Sequence, residues 1–327
     1  MILAGDVGAT KTHLALYKSE GGQLVQVALR TFESQRHPSL AAVVRAFLAQ
    51  ERVIIQGACF GVAGPVVGGE SSITNLSWAL NERGLERDCG IAKVKLLNDL
   101  EATANAVPIL QPKDLFVLNQ GIRQEGGNMA VIAPGTGLGE AILFWDGERY
   151  RPSASEGGHT DFGPANEMQI RLLEYLRERK GFDHVSYERV ASGLGLMNIY
   201  NFLKDSGYAE EPQWLAERLA ASKDPNAVIS RAALAKECEL CVMTLHIMVE
   251  ILGAEAGNLA LKALATGGVY VGGGIPPKIL DKLSDGTFMN AFVNKGRFKP
   301  FMPRIPVYVI LNEQAALLGA ARWASEM

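Results

Sequence analysis

The chain contains two copies of one short layout, and this repetition constrains its fold more than any other feature. In each copy an apolar strand leads into a loop of small residues, a second strand returns, and a turn leads into a third strand. The two loops are residues 5–12 (GDVGATKT) and residues 135–139 (GTGLG), more than a hundred residues apart. Internal similarity of this kind predicts two domains, each of which begins with three consecutive strands.

Helices and strands alternate after the first copy. The sequence predicts three helices and two strands in the order helix 39–50, buried strand 52–60, a helix that follows residues 75–78, strand 94–97 and helix 100–106. A strand, helix, strand, helix order of this kind is typical of α/β proteins.

After the second copy, a long helical insertion interrupts the pattern. We place this insertion at about 165–263, and we expect strands at 266–271 and 305–311 and a last helix at 313–325. The predicted fold class is therefore α/β, with a smaller domain formed by residues 1–110 and 313–327 and a larger domain formed by residues 111–312.

Charge and hydropathy exclude two classes of partner. The 32 basic and 35 acidic residues are mixed along the chain and give a net charge of −3, so no basic face for nucleic acid is expected. No apolar run approaches the roughly 18 residues of a membrane span. We therefore predict neither a nucleic-acid partner nor a membrane.

The cysteines indicate no metal site. Of Cys59, Cys89, Cys238 and Cys241, only the last two have the spacing of metal ligands or a redox pair. No second such pair exists, and His246 alone would not complete a tetrahedral site. Two small residues one helical turn apart in a reducing cytoplasm are the favoured interpretation.

The glycine loops differ from the common nucleotide motifs. Thr10 stands where a Walker A loop needs glycine, and a strand rather than a helix follows Lys11 and Thr12. Residues 135–139 resemble a dinucleotide fingerprint, but a strand follows them as well. Each loop alone is typical of a structural turn. Because the two loops occupy equivalent positions in the two copies, together they favour phosphate binding. A third loop, residues 272–274, ends a buried strand, where a flat base could bind.

Asp99 is a candidate general base. It follows an apolar strand and opens a helix, so it is either the N-cap of that helix or a carboxylate that orients and deprotonates a hydroxyl. Asn98 could cap the helix equally well. The sequence leaves both possibilities open.

Three further polar residues are candidates for ligand contact. Glu156 and His159 have the E-x-x-H spacing of metal ligands on a helix, but Gly157 and Gly158 between them argue against a helix. A loop that offers a carboxylate and an imidazole to a polyhydroxy ligand suits them better. Glu188 follows Ser186, so it is either a first-turn acid behind an N-cap or a ligand contact.

These residues together resemble the bacterial glucokinase family, which belongs to the hexokinase-like actin/Hsp70 superfamily. The similarity covers essentially the whole chain. It depends on the order and spacing of six segments: GDVGAT (5–10), LND (97–99), PGTGLG (134–139), EGGH (156–159), SYERV (186–190) and GGGI (272–275).

The resemblance implies a fold and a reaction. It implies two ribonuclease-H-like domains with mixed sheets, helices on both faces of each sheet and a cleft between the domains. It also implies ATP-dependent phosphorylation of glucose at the 6-hydroxyl, with Mg²⁺ bound through water near Asp6, and a homodimer. Asp99 would be the base.

The resemblance also assigns contacts residue by residue. The sugar hydroxyls would be bound by Asn98, Asp99, Glu156, His159 and Glu188. The nucleotide would be bound by two phosphate loops and an adenosine loop, which contain Gly5, Asp6, Val7, Gly8, Ala9, Thr10, Gly135, Thr136, Gly137, Gly273 and Gly274.

The chain departs from the family pattern at two positions of the first loop. The family usually has glycine at position 9 and asparagine at position 11, where this chain has Ala9 and Lys11. Neither change removes a residue with an assigned chemical role. The zinc-binding cysteines of the related repressor and kinase group are absent, so no structural zinc is expected.

Three other functions remain open. They are a kinase for another hexose or amino sugar, a sugar-responsive transcription factor and an actin-like filament protein. The transcription factor would need a DNA-binding segment, which we do not expect here, and a filament protein would have no use for the sugar contacts.

Overall fold

The fold is known from a computed structural model that describes residues 1–51, 53–73 and 76–327. The chain forms two compact units. Unit 1 comprises Met1–Asp114, Tyr150–Ala154 and Asn312–Met327, and unit 2 comprises Leu115–Arg149 and Ser155–Leu311. The division therefore lies a few residues from positions 110 and 313, and it places Tyr150–Ala154, unlike the sequence-based assignment, in unit 1.

Unit 1 is built on a five-stranded mixed sheet with the order β3-β2-β1-β4-β7. Its strands are β1 (Ile2–Val7), β2 (Lys11–Glu20), β3 (Gln23–Glu33), β4 (Gly57–Val62) and β7 (Val94–Asn98), and β5 (Glu70–Ser72) and β6 (Ala79–Asn81) form a separate pair. The helices are α1 (Leu40–Glu51), α2 (Glu82–Cys89), α3 (Asp99–Ala106) and α11 (Ala315–Ser325). The first three strands are antiparallel neighbours, whereas β4 and β7 are parallel to β1.

Strand β1 lies at the centre of this sheet because both of its faces are apolar. Leu3 and Val7 pack into the core shared with α1, whereas Ile2 and Ala4 pack into the core shared with α11. A strand that is covered on both sides reads as a continuous apolar run rather than an alternating one. Helices therefore cover both faces of the sheet.

Helix α11 lies unusually close to α3. A Cβ atom on Gly319 would overlap the carbonyl oxygen of Ala102 and would lie 2.8 Å from the backbone nitrogen of Ala106. Only a residue without a side chain allows the two backbones to approach in this way.

We therefore expect Gly319→Ala to destabilise the protein by about 1–3 kcal/mol, because the added methyl group must push the two helices apart. Urea denaturation would measure the loss. Gly84→Ala in α2 is the matched control, since its Cβ would meet no atom closer than 3.6 Å. Equal stability of the two variants would contradict the close packing.

Unit 2 contains a sheet with the same order of corresponding strands, β11-β10-β9-β12-β13, and one additional edge strand, β8. The strands are β8 (Leu115–Asn119), β9 (Met129–Pro134), β10 (Leu138–Trp145), β11 (Tyr150–Ser155), β12 (Gly268–Val271) and β13 (Val307–Ile310). The repeated strand order confirms the fold class. Strand β8, which pairs antiparallel with β13, was not predicted.

The helical insertion lies where it was expected. Its helices are α4 (Glu167–Glu178), α5 (Gly193–Asp205), α6 (Gln213–Ala221), α7 (Pro225–Leu234) and α8 (Glu239–Ala263), and α9 (Leu280–Ser284) and α10 (Thr287–Val293) follow β12. The predicted helix from Pro276 begins as a 3₁₀ turn, Pro276–Ile279.

Helix α8 corrects one sequence-based expectation. Within the described residues it is the one helix that is long and apolar enough to cross a membrane, although no such run was expected. However, 78% of its most apolar window is buried within the protein. Leu245, Met248 and Leu252 belong to the core of unit 2, so α8 has the character of a central core helix.

Several predicted boundaries are wrong by a few residues. Strand β4 begins at Gly57, later than the predicted start at Arg52, a position outside the described residues. It also runs through Gly61 and Val62, which were expected in a loop. Both glycine loops are also shorter than predicted, because the pairing of the flanking strands continues into them.

Candidate active site

The first predicted phosphate turn consists of Gly8, Ala9 and Thr10 only. Residues 5–7 belong to β1 and residues 11 and 12 to β2, so the predicted loop boundary is wrong. Gly5 and Val7 are buried, and a Cβ on Gly5 would overlap the ring of Phe60. Gly5 is thus a packing glycine. The turn itself is half-buried at Gly8 and Ala9 and exposed at Thr10, and the N–H of Gly8 donates to the carbonyl oxygen of Lys11 at 2.9 Å.

Ser34 fixes the shape of this turn. Its hydroxyl donates to the carbonyl oxygen of Gly8 at 2.7 Å, and its N–H donates to the carbonyl oxygen of Thr10 at 3.0 Å. A third contact joins its hydroxyl to that of Thr12 at 2.9 Å. Ser34 was not predicted from the sequence, since a serine at the end of a strand carries no signal that it is buried.

Asp6 places a carboxylate at the end of β1, next to this turn. Its backbone pairs with that of His13 on β2. Burial raises the pKa of the Asp6 carboxyl, and the nearby His13 opposes that effect. A cation beside Asp6 would favour its ionised form.

The second predicted phosphate turn, Gly135–Thr136–Gly137, has the corresponding position between β9 and β10. The N–H of Gly135 donates to the carbonyl oxygen of Gly137 at 2.8 Å, and the carbonyl oxygen of Gly135 accepts from the N–H of Gly193 at 2.8 Å. Gly193 is the first residue of α5. The turn is therefore closed on itself and attached to a helix start.

Glu188 lies against this second turn. Its Oε2 accepts from the N–H of Leu138 at 3.1 Å, and a Cβ on Gly137 would overlap the same oxygen. Glu188 lies in the first turn behind Ser186 at the N-cap position, as one of the two interpretations predicted, but Ser186 makes no side-chain capping bond. Ser186 instead bridges to Asp161, and only a single 3₁₀ turn, Tyr187–Arg189, follows.

Glu156 precedes a 3₁₀ turn, Gly157–His159, of which His159 is the last residue, and both side chains are exposed. The turn is closed by Thr160, whose hydroxyl donates to the carbonyl oxygen of Gly157 at 2.7 Å. The two residues therefore lack the helical arrangement of E-x-x-H metal ligands, as their glycines predicted. Within 1–51, 53–73 and 76–327, no three His, Cys, Asp or Glu side chains cluster as a metal site.

Gly158 holds this turn against β10. It is buried, and a Cβ at this position would overlap the carbonyl oxygen of Leu138. The backbone pairing of Asp161 with Ser186 ties the end of the same segment to the turn that carries Glu188. Unit 2 thus brings Glu156, His159 and Glu188 onto connected turns.

Asn98 and Asp99 lie where β7 meets α3. The side-chain oxygen of Asn98 accepts from the N–H of Leu100 at 2.9 Å, and its amide donates to the carbonyl oxygen of Gly64 at 3.1 Å. Asn98 is thus the N-cap, and the alternative that Asp99 has this role is wrong. Asp99 is exposed in the first turn of α3, and its Oδ1 accepts from the N–H of Leu100 at 2.8 Å.

The predicted adenosine loop adjoins the second phosphate turn. The N–H of Gly272 donates to the carbonyl oxygen of Ile132 at 2.8 Å, at the end of β9. Gly273 has φ +85°, and a Cβ there would overlap the carbonyl oxygen of Pro134. Gly274 is exposed and has open space around it. A flat base could therefore approach the backbone here.

Comparisons with known proteins agree with this set of turns. The family model described as Glucokinase matches residues 3–327. The glucokinase of Nostoc punctiforme is 40% identical over 339 residues, with 100% of this chain and 99% of that protein covered. The glucokinase of Yersinia enterocolitica is 37% identical, with 98% and 95% covered.

Solved structures show the same fold. A glucokinase from an Antarctic psychrotroph has a TM-score of 0.88 at 31% identity and covers 100% of this chain and 99% of its own. The glucokinase of Balamuthia mandrillaris, solved in complex with glucose, has a TM-score of 0.80 at 23% identity, with 99% and 93% covered. The second similarity concerns the fold alone.

The full-length match to the family model and the 40% identity to a relative over the whole chain therefore lead to one conclusion: this chain belongs to the glucokinase family and is an enzyme that phosphorylates glucose with ATP.

Proposed function

We propose that Asp99 is the general base of glucose phosphorylation in this enzyme. It would accept the proton of the 6-hydroxyl as that oxygen attacks the γ-phosphorus of ATP in line. The main observation in support is that Asn98 caps α3, which leaves Asp99 exposed beside it. The positive end of the helix dipole favours the ionised carboxylate that a base must be.

The sugar hydroxyls would be bound by Asn98, Asp99, Glu156, His159 and Glu188. Glu156 and His159 support this assignment because they are exposed on a turn whose backbone is fixed by packing. Glu188 has one oxygen on the N–H of Leu138, so its other oxygen is available to accept from a hydroxyl. Several fixed acceptors would discriminate strongly against a sugar that lacks a hydroxyl.

The phosphates of ATP would be bound by the two short turns, residues 8–10 and residues 135–137, and the adenosine by Gly273 and Gly274. Backbone N–H groups in tight turns form concave anion sites. Because Gly273 abuts Pro134, the adenosine loop and the second phosphate turn are fixed relative to each other. This proximity within unit 2 supports binding of one nucleotide by both.

Asp6 would hold Mg²⁺ through water. A single carboxylate beside a phosphate turn fits this ion, which usually keeps several waters and takes its other ligands from phosphate oxygens. The ion would neutralise charge on the β- and γ-phosphates. Ionised Asp6 would orient a water of its hydration shell.

Substrate preference tests the function directly. Initial rates in a coupled ADP assay, with ATP and a panel of hexoses and amino sugars, should give glucose the highest kcat/KM. A higher kcat/KM for another sugar would identify that sugar, rather than glucose, as the preferred substrate.

The family resemblance also implies a homodimer. Light scattering should then give the mass of two 35.2 kDa chains.

We expect Glu156→Ala to raise the KM for glucose about 10- to 100-fold with a smaller effect on kcat. Such a loss corresponds to one or two hydrogen bonds to a charged group. Steady-state kinetics with glucose varied at saturating ATP would measure it. Glu178→Ala, at an exposed glutamate on α4, is the control. An unchanged KM for glucose would remove Glu156 from the site.

A further inference from the structure

Glu140 occupies an apolar position of β10. Its neighbours on the same face of the strand, Leu138 and Ile142, contact the hydrophobic core of unit 2. Glu140 itself is only 2% exposed. Because a buried carboxylate is costly unless it is paired or neutralised, this residue requires an explanation that the proposed mechanism does not provide.

The partner of Glu140 is a second buried acid. Glu255 on α8 is 0% exposed, and its carboxyl lies close enough to that of Glu140 to raise the pKa of the Glu140 carboxyl. Two carboxylates that are both buried and close together repel each other strongly when both are ionised, so the pair shares one proton at neutral pH.

The surroundings indicate which acid is neutral. Glu255 accepts from Lys262 at 3.2 Å and from the amide of Asn258 at 2.8 Å, and both donors stabilise its charge. By contrast, Glu140 Oε1 is buried and has no hydrogen-bond partner among the residues that the structure describes. Glu140 is therefore the neutral acid and Glu255 the carboxylate.

The Glu140 carboxyl supports the turn that carries Glu156 and His159. A Cβ on Gly157 would overlap Glu140 Oε2, so the backbone of the turn rests directly on this carboxyl. Ser155 adds a second link, because its hydroxyl donates to the carbonyl oxygen of Glu140 at 3.1 Å and accepts from the N–H of Gly157 at 3.2 Å.

The same network reaches the neighbouring turn. The hydroxyl of Tyr187, the residue before Glu188, accepts from the amide of Asn258 at 3.1 Å, and the same amide donates to Glu255 at 2.8 Å. The buried acids therefore lie beneath both segments of unit 2 that we assign to the sugar.

We infer that Glu140 is a positioning residue that must keep its shared proton for the Glu156–His159 turn to bind glucose. The inference depends on the proposed function for the sugar contacts, but the shared proton itself does not. Loss of the proton would leave two carboxylates in contact, draw water into the core and displace the turn that rests on Glu140.

The pH at which this happens follows from the local charges. Burial first, and then repulsion from Glu255, raise the pKa of Glu140 to about 8, and Lys262 opposes the shift. Burial lowers the pKa of Lys295, and the charge of Glu255 partly offsets this decrease. Burial raises the pKa of Tyr187 to about 12. The turn packed on β10 carries two further titratable residues, Glu156 and His159.

The raised pKa of Glu140 makes the folded protein less stable as the pH rises. Glu140 retains its proton in the folded protein up to about pH 8, whereas in the unfolded chain it loses it near 4.5. This contribution to stability is complete below pH 4.5 and is lost as the pH rises through 8. A variant in which residue 140 cannot ionise should therefore be more stable than wild type at alkaline pH.

The decisive experiment compares wild type with Glu140→Gln between pH 6.5 and 9.5. The amide has the shape of the neutral acid and cannot ionise. For wild type, the KM for glucose should rise about fivefold to tenfold from pH 7.5 to pH 9, as one proton is lost, with a smaller change in kcat. For Glu140→Gln, this rise should be absent. Glu148→Gln, at an exposed turn, should behave like wild type.

Two outcomes would overturn the inference: a flat KM for glucose in wild type up to pH 9, or an alkaline rise that persists in Glu140→Gln. Difference infrared spectroscopy provides a readout independent of activity, because a protonated-carboxyl band should titrate near pH 8 and be missing in Glu140→Gln. If Glu156→Ala leaves KM unchanged while this band is present, the sugar assignment fails and the shared proton stands.

Discussion

Asp99→Asn is expected to lower kcat by roughly 10²–10⁴-fold, the usual contribution of a general base. The asparagine retains the size of the side chain and an oxygen that can accept from the N–H of Leu100, so α3 should keep its start. Because Asn98 supplies the N-cap, the substitution should cost little stability. Glucose affinity, measured by calorimetry, should change much less than kcat.

Asp88→Asn is the control for this variant, since it makes the same chemical change at an exposed position of α2. A turnover number for Asp99→Asn within about threefold of wild type would exclude Asp99 as the base. A loss of glucose binding as large as the loss of kcat would instead assign it to binding, because a purely transition-state interaction leaves the ground-state complex intact.

The duplicated strand pattern was predictable because it depends on local periodicity. The two sheets share one order of their five corresponding strands, β3-β2-β1-β4-β7 and β11-β10-β9-β12-β13. Strand β8 was not predictable in the same way. Its residues are mostly half-exposed, and its partner, β13, lies almost two hundred residues later in the sequence. Pairing over such a distance leaves no trace in a short window of sequence.

The site was predictable to the level of segments but not of atoms. Gly5 reads as a loop residue, yet it is a glycine because the ring of Phe60 needs its space. Ser34, Glu140 and Glu255 are polar by type and would normally be assigned to the surface. Their burial arises from tertiary contacts that residue types do not reveal, and so the support beneath the turns was missed.

Gly158→Ala is expected to reduce kcat/KM for glucose by about 100-fold or more. The new methyl group would overlap the carbonyl oxygen of Leu138, which belongs to the backbone of β10 and cannot rotate away as a side chain could. The turn must therefore move, and Glu156 and His159 move with it. A displacement of about 1 Å at a positioning group is sufficient for a loss of this size.

The loss should be mainly one of glucose binding, because Gly158 lies within the turn that presents these side chains. Far-UV circular dichroism should match wild type, and the free energy of unfolding should fall by about 1–3 kcal/mol from overpacking. Gly84→Ala serves as the steric control, since its added methyl group meets no close atom. A KM for glucose within twofold of wild type would mean that the turn does not contact the sugar, and the assignment of both Glu156 and His159 would fail together.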